Sequence, residues 1–162
     1  MDFLIKERKT LQELRKKYTS KKIVATNGCF DILHLGHVRY LKAAKELGDI
    51  LVVALNSDYS VRTLKSSPES AVQRPINNEL ARAEVLNSLY CVDYTYIFSQ
   101  RTADSFLRDL KPDLYAKAGD YSLDSLPERK TLEELGAKVY FLDFHSGYST
   151  SELIKKLDPP KV

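Results

Sequence analysis

Six apolar residues in unbroken succession, Ile50-Leu51-Val52-Val53-Ala54-Leu55, do most to limit what this chain can fold into. A strand with one wet face alternates apolar and polar residues. A run without alternation suits a strand buried on both faces, as in a parallel sheet clad in helices. Similar short runs rich in Val, Ile, Tyr or Phe occur at 22–26, 94–98, 114–118 and 138–143, so 50–56 is the second of five strand candidates. Between them lie stretches with a helical apolar repeat, at about 37–48, 77–90, 103–110, 127–135 and 149–157. An earlier helix within 1–20 carries Leu4, Leu11, Leu14 and Tyr18 on one stripe, either packed on the domain or free to form a dimer contact. Gly48 is placed to end the second helix as its C-cap. Strands alternating with helices predict an α/β fold in a single domain over 1–162, with a parallel sheet covered on both faces. Residues 66–73, between Lys65 and Arg74, read as an irregular surface loop that is either a tether or a lid; 158–162, with Pro159-Pro160, read as a solvated tail.

Composition removes several function classes. With 162 residues, 43% of them hydrophobic, the chain can bury roughly 68–70% of its unfolded surface without staples. The net charge is only +3 and the lysines are interspersed with glutamates, which excludes a dedicated nucleic-acid binder. Cys29 and Cys91 are too few and too far apart for a disulfide framework or a zinc site, and read as two buried thiols in a reducing compartment. Residues 1–22 lack an apolar signal core, and the run at 50–55 is far too short to span a bilayer. The expectation is a cytoplasmic protein without membrane or nucleic-acid partners and without protein ligands for a metal.

The chemistry concentrates where the first strand turns into the second helix, at Thr26-Asn27-Gly28-Cys29-Phe30-Asp31-Ile32-Leu33-His34-Leu35-Gly36-His37. In open parallel sheets ligands bind beyond the carboxyl ends of strands, and this is such an end. Gly28 lets the backbone turn and approach a ligand, and Gly36 leaves room at a helix start, where free N–H groups favour phosphate. His37 shares a helix side with Tyr40, Leu41 and Ala44, so it turns inward. Two imidazoles at this spacing can both donate to phosphoryl oxygens, stabilising the charge that builds there as an α-phosphorus is attacked.

His34-Leu35-Gly36-His37 resembles the H-x-G-H signature of the nucleotidyltransferase superfamily that includes the cytidylyltransferases and pantetheine-phosphate adenylyltransferases. The wider segment from Thr26 is similar to the heptose 1-phosphate adenylyltransferases within it. The resemblance implies a Rossmann-like, five-stranded sheet of order 3-2-1-4-5, and transfer of AMP from ATP to a sugar 1-phosphate with release of pyrophosphate. It implies backbone contacts to the nucleotide from Gly28, Cys29 and Phe30, with Asn27 also at the nucleotide, His34, Gly36 and His37 at the phosphates and Asp31 on the substrate side. Mg²⁺ is expected on the triphosphate, keeping several waters. A homodimer and a separate sugar kinase upstream are further implications.

Other segments carry both a plain and a functional reading. Asn56 or Asp58, at the end of the second strand, can cap the following helix, but the heptose enzymes share Asn56-Ser57-Asp58, which implies substrate binding. Arg82 lies on the inward helix side with Val85, Leu86 and Leu89, and either snorkels to the helix end or points into a polar cavity. Lys65 and Arg74 resemble family positions that meet substrate or phosphate. Lys117, at the end of the fourth strand, can reach a phosphate as a catalytic cation, with Gly119 and Asp120 in the flexible turn beside the nucleotide. Ala118 departs from the family's glycine, which is mild only if its φ is negative. Ser149 and Glu152 form an S-x-x-E capping pattern, and Ser149 with Thr150 resembles the superfamily's second phosphate-binding signature, although Tyr148 departs from it.

Overall fold

The five apolar runs are strands, and a sixth that no periodicity announces joins them. In a computed structural model, which describes residues 3–65, 72–119, 122–143 and 148–157, the strands are β1 (Leu4–Ile5), β2 (Ile23–Gly28), β3 (Ile50–Asn56), β4 (Tyr94–Phe98), β5 (Leu114–Ala118) and β6 (Lys138–Leu142). All pairs are parallel, in the order β1-β4-β3-β2-β5-β6. For the five expected strands this is the order 3-2-1-4-5. The correction is the edge strand β1, which pairs Leu4 with Thr95 and Ile5 with Tyr96.

The helices are α1 (Arg8–Lys17), α2 (Leu35–Glu46), α3 (Asp58–Lys65), α4 (Glu79–Asn87), α5 (Asp104–Leu110), α6 (Arg129–Leu135) and α7 (Thr150–Leu157), with a 3-10 turn at Leu123–Ser125. Side chains alternate across each strand, and the two sheet faces collect different helices. Ile23, Ala25, Val52, Ala54 and Tyr115 pack with Leu11 and Leu14 of α1, Phe106 and Leu107 of α5, and Leu132 of α6. Val24, Leu51, Val53, Leu55 and Ala116 pack with Leu41 and Ala44 of α2, and Ala83 and Leu86 of α4.

The first helix is therefore shorter than expected. Leu4 belongs to β1, and Leu11 and Leu14 are buried in the core, so this stripe packs on the domain. Arg8 and Gln12 anchor α1 further through Asp109 of α5, at 2.5 Å and 3.0 Å. Gly48 acts differently from the expected cap: the C-cap of α2 is Leu47, and a Cβ at Gly48 would meet Val24 Cγ2 at 2.7 Å. The glycine lets the end of α2 pass close to β2. Most of the 66–73 loop and all of 158–162 lie outside the described residues.

β2 lies at the centre, with β3 on one flank and β5 on the other. The chain leaves β2 in one direction along the sheet and later returns on the other side. That reversal opens a crevice at the carboxyl ends of the strands, where the sequence concentrates its glycines and histidines.

Candidate active site

A cleft of about 480 Å³ occupies this crevice. Asn27, Gly28, Cys29 and Phe30 line it from the end of β2, and His34, Gly36 and His37 from the turn into α2. Asn56, Lys65 and Arg74 line the β3 flank, while Lys117, Ser149 and Thr150 line the opposite one. Thus most of the residues singled out in the sequence converge on one cavity. Asp31, Asp58, Arg82 and Gly119 do not line it, and Asp120 lies outside the described residues.

The two imidazoles stack, with ring centroids 3.8 Å apart and planes 25° from parallel. Although His34 occupies the N-cap position of α2, its side chain makes no capping bond. Nδ1 of both rings is buried and without a partner among the described residues. A buried unpartnered nitrogen is costly, and two side by side are tolerated where a ligand completes them. Burial pushes the His37 pKa down to about 4, helped by the neighbouring His34 and Arg74, and burial also lowers that of His34. At neutral pH both rings are neutral, each able to donate one N–H.

The ring of Phe30 tilts against His37 at 5.2 Å, and Phe30 holds φ at +43°, an unusual conformation for a bulky residue. Such a conformation costs on the order of 1–3 kcal/mol and persists where its surroundings over-determine it. Arg82 supplies part of that constraint. It is 1% exposed, so it neither snorkels nor lines the cleft. Its guanidinium donates to the Cys29 carbonyl at 2.6 Å, the Asn77 carbonyl at 2.9 Å and Asp58 Oδ1 at 2.8 Å. Asp31 is likewise a fastening: its carboxylate accepts from the N–H groups of Ile76 and Asn77 at 2.8 Å and 3.1 Å, and from Arg74 Nε at 3.1 Å. Asp31, Asp58 and Arg82 hold the turn after β2, the start of α3 and the segment before α4 in fixed relation.

Lys117 is 8% exposed and donates to Asn27 Oδ1 at 2.6 Å; the Tyr115 hydroxyl donates to the same oxygen at 2.7 Å. Burial lowers the Lys117 pKa, while Glu128 and Cys29 act to raise it. Lys117 is thus buried although it stands at the end of a strand. Cys29 is only half-buried, not fully as expected, and its thiol donates weakly to Asn56 Oδ1 at 3.9 Å. Neither Asn56 nor Asp58 caps α3; Ser57 does, its Oγ accepting the Ser60 N–H at 3.2 Å. Ser149 Oγ accepts the Glu152 N–H at 3.1 Å, and the Thr150 hydroxyl donates to the Ile32 carbonyl at 3.4 Å, tying α7 to the histidine turn. Ala118 is not among the described residues with positive φ, so its replacement of glycine is mild.

Cleft residues that escaped the sequence reading in this role include Tyr40, Arg101, Glu128, Asp143 and Tyr148. Tyr40 shares its hydroxyl with Thr26 at 2.6 Å and the Ala116 carbonyl at 2.9 Å, which its inward helix position could have suggested. Arg101 and Glu128 come from loops with no local motif.

A half-buried imidazole pair, a buried lysine and a helix N-terminus around one crevice form a site for phosphoryl oxygens. The cytidylyltransferase-like family model matches residues 25–156. The chain belongs to this family and is a nucleotidyltransferase. It is 45% identical over 143 residues to the bifunctional protein HldE of Citrifermentans bemidjiense, covering 88% of this chain and 28% of that one. To HldE of Campylobacter jejuni subsp. jejuni serotype O:6 it is 44% identical over 157 residues, covering 97% and 32%. The chain thus spans about a third or less of the length of these relatives. Among solved structures, a lipopolysaccharide core biosynthesis protein from Thermoplasma volcanium is 30% identical, covering 80% of this chain and 99% of that one at a TM-score of 0.63. Pantoate-β-alanine ligase from Francisella tularensis, at 14% identity, 92% and 69% coverage and a TM-score of 0.61, shares the fold. No helix among the described residues is long and apolar enough to cross a membrane.

Proposed function

We propose that this chain transfers AMP from ATP to D-glycero-β-D-manno-heptose 1-phosphate, giving ADP-heptose and pyrophosphate. The observation that carries the reading is the stacked His34–His37 pair, with both Nδ1 atoms buried and unpartnered among the described residues in the wall of the cleft. The likeness to HldE proteins and to a lipopolysaccharide core biosynthesis protein supports the choice of acceptor.

In the proposed reaction an oxygen of the sugar phosphate attacks the α-phosphorus of ATP. The new O–P bond forms as the bond to the α–β bridging oxygen breaks, and pyrophosphate leaves with the electron pair. The nucleophile is already anionic at neutral pH, so no general base is needed; orientation and charge stabilisation carry the rate. His34 and His37 donate to the phosphoryl oxygens, and Lys117, Ser149 and Thr150 hold the nucleotide tail. Gly28, Cys29 and Phe30 offer their backbone. Asn56, Lys65 and Arg74 receive the acceptor on the β3 flank. Among the described residues no three His, Cys, Asp or Glu side chains cluster as ion ligands. Mg²⁺ is placed by this proposal on the triphosphate, where it screens the charge. A homodimer, a cytoplasmic location and a kinase that supplies the sugar 1-phosphate complete the proposal.

The test is pyrophosphate release with Mg²⁺ and heptose 1-phosphate, with ATP, CTP and GTP offered separately. Turnover is expected with ATP, and His37→Ala should lose roughly 10²–10³ in rate, as for a lost oxyanion donor. Turnover only with glycerol 3-phosphate and CTP, or with FMN and ATP, would replace the acceptor assignment.

A further inference from the structure

Glu128 precedes α6 and is 2% exposed, yet it lines the cleft beside Lys117, Ala118 and Pro127. It does not cap its own helix. Oε1 accepts the Ala103 N–H, just before α5, at 3.1 Å, which fixes the carboxylate's orientation. Oε2 is buried and has no hydrogen-bond partner among the described residues. A carboxylate is an acceptor only, and leaving one of its oxygens dry and unpaired is costly unless a donor arrives. An apolar residue would fill this wall more cheaply, so the arrangement is that of a half-completed binding group.

A ligand in the cleft can bring that donor, and its chemistry is restricted. Phosphate oxygens are acceptors and anionic, so the carboxylate repels them; the histidine pair and Lys117 attract them instead. ATP carries two kinds of donor, its adenine amino group and its ribose hydroxyls, and only the hydroxyls of a sugar ring occur on both reactants of the proposed reaction. We infer that Glu128 is a sugar-binding residue whose Oε2 accepts a hydrogen bond from a ring hydroxyl of the substrate held in the cleft. Glu128 follows β5, on the flank of Lys117 and across β2 from Lys65 and Arg74. That is the side given to ATP above, which makes the ribose the expected source and the acceptor sugar the other. The inference rests on the proposed function for the identity of the two sugars, not for the existence of the contact.

The experiment uses the full chain and Glu128→Gln, in which one oxygen can still meet the Ala103 N–H while an NH₂ donor replaces Oε2. Steady-state constants are measured for ATP, 2′-deoxy-ATP, 3′-deoxy-ATP and heptose 1-phosphate. Binding of α,β-methylene-ATP is measured separately by calorimetry. For a ribose contact, Glu128→Gln should raise the KM for ATP and weaken the analogue by about tenfold or more, with a smaller effect on kcat. The wild-type preference for ATP over one deoxy nucleotide should vanish in the variant. For an acceptor contact, analogue binding stays at its wild-type value and the heptose 1-phosphate KM rises by a similar factor. Wild-type constants for both substrates with ribose discrimination intact would overturn the inference, since a purely structural Glu128 moves neither. Glu128→Asp, which withdraws the charge by one methylene, repeats the test if the glutamine variant does not fold. The same losses would support the contact, and wild-type constants would overturn it. If the wild type binds the analogue but does not turn over heptose 1-phosphate, the acceptor assignment fails, while the ribose contact is still read from analogue binding.

Discussion

His37 is held neutral by burial, and this couples the stability of the fold to acid. Its pKa drops from an ordinary 6.5 to about 4, first through desolvation and then through the nearby His34 and Arg74. In the unfolded chain the ring takes up a proton as the pH falls through about 6.5. In the folded protein it stays neutral until about pH 4. Between these values the unfolded state binds more protons, so unfolding becomes easier as the pH falls, and the loss levels off below the folded pKa. Each tenfold drop in the ring's proton affinity on folding is worth about 1.4 kcal/mol, which gives a loss of about 2 kcal/mol at pH 5 and about 3 kcal/mol at pH 4 relative to pH 7. His34, whose pKa burial lowers in the same direction, adds to this loss. Urea unfolding of the wild type and of His37→Gln at pH 7 and pH 5 isolates the contribution. Carboxylates such as Asp109, whose pKa is lowered by Arg8, affect both proteins equally and cancel. The wild type should lose about 2 kcal/mol more than the variant over this interval. Parallel losses, within the about 10–15% uncertainty of the extrapolation, would refute the reasoning that burial holds His37 neutral.

Two further outcomes follow from the turn after β2. Arg82→Ala removes three hydrogen bonds and leaves Asp58 without its partner; breaking a buried ion pair in this way costs about 3–5 kcal/mol, a fall in Tm on the order of 10 °C. A melting point within about 3 °C of wild type would show that the clamp is dispensable. Gly28→Ala places a Cβ 2.8 Å from Phe30 Cε2, so the ring that rests on His37 has to move. The circular dichroism should remain that of the wild type while kcat/KM for ATP falls by about 10²-fold, and unchanged kinetics would dissociate Phe30 from the histidine pair.

Some of this was legible in the residues and some was not. The helical face of α2 could be read from the spacing of His37, Tyr40, Leu41 and Ala44, because facing in a helix is a local property. Leu41 and Ala44 are indeed fully buried. Two-residue β1 could not be read, since two residues carry no period, and Leu4 fits a helical stripe equally well. Arg82 shows the same limit at the site. Its inward position was legible beside Leu86, although Val85, expected on the same face, is 49% exposed; its partners were not legible, because the Cys29 carbonyl lies 53 residues away in sequence.

What the sequence by itself determined was the alternation of buried strands with amphipathic helices and the placing of two histidines and two glycines at one strand end. Both are properties of neighbouring residues, and the chain's geometry turns spacing directly into facing. Only the tertiary structure decided which charges are spent on fastening and which are left for a ligand. Asp31, Arg74 and Arg82 look like Glu128 and Lys117 on paper, as ionisable groups near turns. In the fold, Asp31 and Arg82 find partners, whereas Glu128 keeps an oxygen in the cleft wall without a donor among the described residues. That distinction depends on which distant segments close on each group, and on the solvent they exclude, neither of which a local pattern records.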